Sequence, residues 1–253
     1  MNAPGEPTEM GAHAAGRLGG GRPDALTAFD TLTHARKSTR AFLPTPVPRA
    51  VIEDILRLAA RAPSGNNIQP WRVHAATGPV LSQLVDKTCA AFDTADRSHV
   101  PEYAYYPAEF FEPYLSRRRR IGIDLYGALG ITKGDRDRMH AQLRRNFEFF
   151  GAPVALVITI DRRLAQGSWI DCGMFIQNLL LAATAHGLAT CAQAAWIDYH
   201  RIVGEVLGFD AMEQLVCAVA LGHADPAAPE NQLETVRAPL DEFVRFHPDH
   251  THD

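Results

Sequence analysis

The chain has 253 residues, 46% of them hydrophobic and 21% charged, with a net charge of −4. This length allows one domain with a sizeable core, and the balance is that of a globular chain rather than a disordered or fibrous one. The net negative charge excludes a broad electrostatic footprint for nucleic acid or an anionic membrane, so any basic site has to be local.

Residues 1–24 are rich in Gly, Ala and Pro. They hold neither the apolar run of a signal peptide nor a basic amphipathic pattern, which predicts a flexible tail with no targeting role. Residues 25–35 predict a short helix. Pro46-Val47-Pro48 opens a second one, because a proline in the first turn loses no hydrogen bond there. Val51, Ile52, Ile55, Leu56 and Ala59 then follow at helical spacing. Residues 63–67 stop that helix and form a loop. Residues 71–76 read as a strand and 79–91 as a helix. Between 93 and 134 the periodicity fades while Tyr103, Tyr105, Tyr106, Phe110, Phe111 and Tyr114 crowd together, which predicts a mobile lid or helices that touch a partner.

Residues 135–150 read as helical, 153–160 as an apolar strand, and 168–186 as a long buried helix with Gly187 in C-cap position. Gln177 and Asn178 interrupt that helix, and no run reaches the roughly 18 apolar residues of a membrane span. Residues 188–195 predict a loop. Asp198 is placed to cap a helix over 199–207 that ends at Gly208. Residues 214–221 form another buried strand, closed by Gly222, and 226–246 an extended arm with a short helix near 240–244. Neither an internal repeat nor a second domain is evident. The expectation is one domain over 25–247, a second tail over 248–253, and an α+β arrangement in which helices cover a mixed sheet. No GxGxxG follows a strand and no Walker A lysine is present.

Cys89, Cys172, Cys191 and Cys217 show neither a CxxC nor zinc spacing, and Cys172, Cys191 and Cys217, in apolar surroundings, read as reduced core residues of a cytoplasmic protein. None has an adjacent histidine or cation to make it a nucleophile. His247, His250 and His252 form a loose tail with no rigid element to fix a metal's geometry, and no metal site is expected.

Arg36-Lys37-Ser38-Thr39-Arg40 puts three cations and a hydroxyl within five residues, chemistry suited to a phosphate and an electron-rich ring. Alone it would be a solvated basic turn. It is followed, however, by Ala62-Pro63-Ser64-Gly65-Asn66-Asn67-Ile68-Gln69-Pro70-Trp71, by Gly187-Leu188-Ala189-Thr190-Cys191-Ala192-Gln193-Ala194-Ala195-Trp196, by Leu221-Gly222-His223-Ala224, and by Arg237-Ala238-Pro239-Leu240-Asp241-Glu242-Phe243-Val244. In that order, over residues 31–247, these segments resemble the nitroreductase superfamily.

The resemblance implies a mixed, mainly antiparallel sheet flanked by helices in an intertwined homodimer. It also implies FMN held non-covalently between the subunits, NADH or NADPH as electron donor, and a small aromatic acceptor such as a nitroarene reduced by ping-pong hydride transfer through flavin N5. Arg36, Lys37 and Ser38 carry over to the phosphate and ribityl side, and Arg237 to the phosphate, where a bidentate guanidinium suits the anion. Arg40 carries over to the N1/O2 edge, where a fixed cation stabilises the negative charge of the reduced ring. Pro63, Ser64, Gly65 and Asn67 form the loop whose Asn67 bonds the pyrimidine edge. Gln193, Ala194 and Ala195 bring backbone N–H groups towards N5 and O4, and Gly222 joins the cofactor set. Three departures stand out: Ala192 replaces a usual proline, Ala194 and Ala195 stand where a carboxylate or glycine is common, and Thr235 stands where some members have a second phosphate cation.

The segment from Tyr114 to Tyr126 is similar to the branch that reduces nitrobenzoate-like aromatics. Arg117 to Arg120 read first as an exposed helix face, with Arg120 able to attract an aromatic carboxylate. Flavin substrates stack over the ring, so Tyr103, Phe110, Tyr114 and Phe149 are candidates for the acceptor pocket, whereas Trp71 reads as core. No side-chain proton donor stands out, and water can serve. The same scaffold also supports dehalogenation, azoline oxidation and flavin fragmentation, or flavin binding without catalysis.

Overall fold

The computed structural model describes residues 23–247. The tails expected over 1–24 and 248–253 lie outside the described residues, except that Pro23 and Asp24 already belong to the first helix. In chain order the elements are α1 (Pro23–Ala35), β1 (Phe42–Leu43), α2 (Arg49–Ala59), β2 (Trp71–Thr77), α3 (Gly78–Asp93), α4 (Tyr114–Ala128), α5 (Arg136–Arg144), β3 (Val154–Asp161), α6 (Gln166–Ala185), β4 (Ala189–Gln193), α7 (His200–Leu207) and β5 (Glu213–Ala224).

β5 is the spine of the sheet. It pairs antiparallel with β3 on one side and with β4 and β1 on the other, and β2 closes the far edge against β3. The register sets two ends. At one, Thr77, Val154 and Leu221 are level, with Thr190 of β4 opposite Leu221; at the other, Trp71 is level with Ile160 and Gln214. Among the described residues the only parallel contact is an isolated bridge from Ser38 to Thr190.

Both faces of the sheet are covered. Ala155, Val157, Ala218 and Ala220 face a core built with Leu84, Phe147, Phe149, Trp196 and Val203. Val154, Leu156, Ile158, Ile160, Val219 and Leu221 face a second core with Ile55, Phe175 and Leu179. A strand buried on both sides has no solvent-facing side, which is why β3 reads as an apolar run broken before Asp161 only by the buried Thr159, although it is antiparallel. α6 lies across the second face. Its 20 residues span about 30 Å, with Cys172, Phe175, Leu179, Ala182 and Ala183 buried at helical spacing and Ile170, Gly173 and Gln177 exposed on the opposite stripe.

Three expectations are corrected. Residues 188–195 are not a loop: β4 is a strand hydrogen-bonded to β5. Asp198 caps nothing; it sits exposed inside a short 3-10 turn (Ala194–Tyr199), and α7 follows without a side-chain cap. The helix over 135–150 ends at Arg144, after which Phe149 and Phe150 take left-handed backbone (φ 48° and 55°) and both rings are buried. α4 is a full helix inside the stretch without periodicity; none of its residues is buried, so there was no apolar stripe to read.

Candidate cofactor site

The basic segment runs along the sheet margin between α1 and β1. Thr39 donates its N–H to Thr190 O at 2.9 Å and turns its side chain inward, 1% exposed. Strand-like alternation then leaves Ser38 and Arg40 on the outer face. Asn231, which no sequence motif marks, fastens the segment from behind. Its Oδ1 accepts from Arg40 N–H at 2.8 Å, its Nδ2 donates to Ala41 O at 2.8 Å and Asp225 O at 2.9 Å, and its carbonyl accepts from Lys37 Nζ.

Two cavities adjoin here, sharing Thr235 and Arg237. One of about 610 Å³ is lined by His34, Arg36, Lys37 and Glu234; the other, of about 680 Å³, by Ser38, Arg40, Arg117, Arg120, Asp124 and Glu242, with Ile121 and Val236 as apolar wall. Arg40 lies near the middle of β4: burial pushes the Cys191 thiol up to about 11, and the Arg40 guanidinium opposes that rise.

The charges in these cavities are of two kinds. Arg36, Lys37, Arg40 and Arg237 have no carboxylate at ion-pair distance among the described residues. Arg40 Nη1 donates only to Ser38 O at 3.4 Å, and Arg237 Nη1 only to Thr235 Oγ1 at 2.6 Å and the Thr235 and Val236 carbonyls at 3.1 and 3.3 Å. Arg117, by contrast, meets Glu242 at 2.5 Å, and Arg120 Nε reaches both oxygens of Asp124 at 2.9 and 2.8 Å. Four uncompensated cations beside a serine hydroxyl, around cavities of ligand size, fit a phosphate-tailed molecule.

The second motif folds as its residues suggest. Asn66, Asn67 and Gln69 take left-handed backbone at φ 50°, 57° and 47°, a conformation asparagine tolerates well. Gly65 N–H points at both oxygens of Asp171, at 3.3 Å each; that carboxyl is buried in the second turn of α6. Pro63, Gly65 and Asn67 are exposed and Ser64 is half-buried.

A single chain does not bring this loop to Arg40. The loop feeds Trp71, level with Ile160, while Ser38 bridges Thr190, level with Leu221 and Val154. Those levels are six residues, or about 20 Å, apart along β3, and β4 and β2 are three strand spacings, about 14 Å, apart across the sheet. Neither cavity includes any residue from Pro63 to Asn67.

The remaining candidates divide. Ala194 and Ala195 sit half-buried at the end of β4, outside both cavities. Gln193 turns inward, its Nε2 donating to Asn146 O at 2.7 Å. Gly222 has a packing reason to be glycine: an added Cβ would stand 2.6 Å from Pro153 Cδ. Phe149, expected in the acceptor pocket, is 0% exposed and stacked on Trp196 at 4.2 Å, so it belongs to the core. The Tyr103 hydroxyl is engaged by Val216 O at 2.8 Å and its ring stands edge-on to Trp169. Phe110 lies under the Arg118 guanidinium at 4.5 Å, Tyr114 is exposed against Phe111, and Arg120 alone of the five acceptor candidates lines a cavity. Trp71 stacks on Phe175 at 4.9 Å, as a core residue should.

All four cysteines are buried free thiols, and no cluster of His, Cys, Asp and Glu able to hold a metal occurs among the described residues. His250 and His252 lie outside the described residues. No described helix is long and apolar enough to cross a membrane.

An antiparallel sheet cored on both faces, with an uncompensated cationic margin, defines an α+β protein built to take a phosphate-bearing ligand. The model of the Nitroreductase family matches residues 33–223. The chain is 40% identical over 225 residues to the 4-nitrobenzoate reductase of Nocardioides sp. (strain LMS-CY), covering 88% of this chain and 91% of that one. It is 37% identical over 218 residues to the nitrobenzene nitroreductase of Ectopseudomonas oleovorans, covering 86% and 96%. The fold matches the FMN-dependent nitroreductase NfnB from Mycobacterium smegmatis, solved in complex with NADPH, with a TM-score of 0.85 at 31% identity over 89% of this chain and 100% of that one. The chain therefore belongs to the nitroreductase family, in its nitrobenzoate-reductase-like branch.

Proposed function

We propose that this protein is an FMN-dependent NAD(P)H oxidoreductase that reduces nitroaromatic acceptors, nitrobenzoate-like ones among them, in a ping-pong cycle. The observation that carries the reading is the set of four cations, Arg36, Lys37, Arg40 and Arg237, held without carboxylate partners around two adjoining cavities. The 4-nitrobenzoate and nitrobenzene reductases among its relatives support the acceptor class, and the FMN and NADPH of the NfnB enzyme support cofactor and donor.

Arg36, Lys37 and Arg237 would hold the phosphate with the Ser38 hydroxyl, and Arg40 would set a fixed positive charge beside the ring. Bound FMN would supply hydride transfer at N5, receiving from the nicotinamide and passing to the acceptor. The half-buried Ala194 and Ala195 offer backbone N–H groups from a rigid position at the end of β4. Protons come from water.

The site is shared between two copies of the chain. The loop from Pro63 to Asn67 cannot reach Arg40 within one chain, so the same loop of a second copy completes the ring's pyrimidine edge. The exposed stripe of α6, with Ile170 67% exposed beside Gly173, suits close helix packing against its copy. The C-terminal arm also carries exposed Val236, Phe243 and Phe246 that need cover. Four free, buried thiols support a cytoplasmic location for the homodimer.

The test is direct. The purified protein should be yellow or should take up added FMN, and NADH or NADPH should bleach it anaerobically, with a nitroarene restoring the colour. A colourless protein that takes up no FMN ends the proposal. Bound FMN that neither nicotinamide reduces would leave a binding protein.

A further inference from the structure

We infer that Asn231 is a positioning residue for the cofactor-binding cations. The inference rests on the flavin reading for the ligand and on the hydrogen-bond geometry for the role. Asn231 ends a short 3-10 turn (Pro229–Asn231) just after β5 and is 3% exposed. Its backbone N–H bonds Ala228 O at 3.1 Å. Its side chain and carbonyl make the four further bonds described above, to Arg40 N–H, Ala41 O, Asp225 O and Lys37 Nζ, so each of its donors and acceptors is engaged. A fully satisfied buried amide has one orientation, and it transmits that orientation to whatever it holds.

What it holds is specific. Two of its side-chain bonds go to the main chain of Arg40 and Ala41, which decides where the Arg40 side chain departs. Its own carbonyl receives the Lys37 ammonium. Asn231 also stands six residues before Arg237, at the root of the arm that carries that guanidinium. One residue thus bonds the positions of two cations, Lys37 and Arg40, from more than 190 positions away in the chain.

The chemistry of the acceptor matters as much as its location. A neutral carbonyl satisfies the Lys37 ammonium without cancelling its charge, and a neutral amide accepts from Arg40 N–H without adding a negative one. A carboxylate of the same shape would make the same bond to Arg40 N–H and would lower the positive field felt by an incoming phosphate. A carboxylate would also lose the two Nδ2 donations to Ala41 O and Asp225 O, so the effect of charge is read beside a neutral variant and against the thermal midpoint.

The experiment dialyses the full-length protein against an equimolar mixture of FMN and riboflavin, which lacks the phosphate, and measures the ratio retained. Circular dichroism and thermal midpoint are recorded alongside. Asn231→Asp is expected to lower the preference for FMN by about tenfold, since charged hydrogen bonds and their fields are worth that order. Asn231→Ser, neutral and still able to accept and donate, is expected to keep the preference within about threefold of wild type. An Asn231→Asp protein that folds normally and keeps the wild-type ratio overturns the inference and leaves the flavin reading intact. Where the Asp variant fails to fold, Asn231→Ala decides: losing the side-chain bonds to Arg40 N–H and Ala41 O should lower the same ratio by about tenfold, and a folded Ala variant with an unchanged ratio overturns the role. A wild-type chain that retains neither flavin overturns the flavin reading and this role with it.

Discussion

Arg36, Lys37 and Arg40 occupy one segment and Arg117 to Arg120 another, and judged by charge alone the second is the more basic. In the folded chain the order reverses. Arg117 is paired with Glu242, Arg120 is held by both oxygens of Asp124, and Arg118 covers the Phe110 ring. Arg36, Lys37 and Arg40, joined by Arg237, have only neutral partners. Exposed cations answered by carboxylates contribute little energy and project little field. Cations gathered without an answering charge repel one another, and an arriving anion relieves that repulsion. Two clusters alike in composition therefore differ in readiness: one braces α4 against the C-terminal arm and the other awaits a ligand.

The largest effect should come from the uncompensated set. Arg237→Ala is expected to weaken FMN binding by about 2 kcal/mol, or roughly thirtyfold, in a fluorescence-quenching titration; an unchanged Kd would break the contrast between the clusters. Raising ionic strength from about 0.05 to about 0.5 M should weaken wild-type FMN binding several-fold, because these charges are open to solvent. Salt-independent binding would mean that the phosphate is held elsewhere. Arg120→Ala is expected to change the ratio of kcat/KM for nitrobenzoate over nitrobenzene by less than about threefold, because Asp124 already occupies that guanidinium. A much larger fall would assign the acceptor's carboxylate to Arg120. The smallest effect is expected from Arg117→Ala: FMN affinity within about twofold of wild type and a stability loss below about 1 kcal/mol in thermal melts.

How much could be read in advance follows the same physics. β3, α2 and α6 were legible because burial imposes a pattern: a nearly unbroken apolar run, or apolar residues at helical spacing. α4 was not, since a helix that buries none of its residues leaves no stripe. β4 reads as a loop in sequence because five residues after a left-handed Gly187 are too few to show alternation. Phe149 was misplaced because the turn that sends its ring into the core depends on a left-handed backbone no local residue announces. The two cofactor motifs were recognisable from residue types, but their separation across the sheet was not, as linear order carries no distance. Asn231 left no trace in sequence: its partners are backbone groups, which any residues could supply.

The placement of the Asn67 loop and the Arg40 segment at opposite corners of the sheet has a genetic consequence. In the proposed homodimer each site takes one corner from each chain, so in a mixed dimer both lesions fall in one site and leave the other sound. With FMN held below the weakened Kd, a chain carrying Arg237→Ala and a chain crippled in its Asn67 loop would each be inactive alone. Co-expressed in equal amounts, they would assort so that about one site in four combines two sound corners. Two dead alleles would rescue each other, whereas two lesions in the same corner never would.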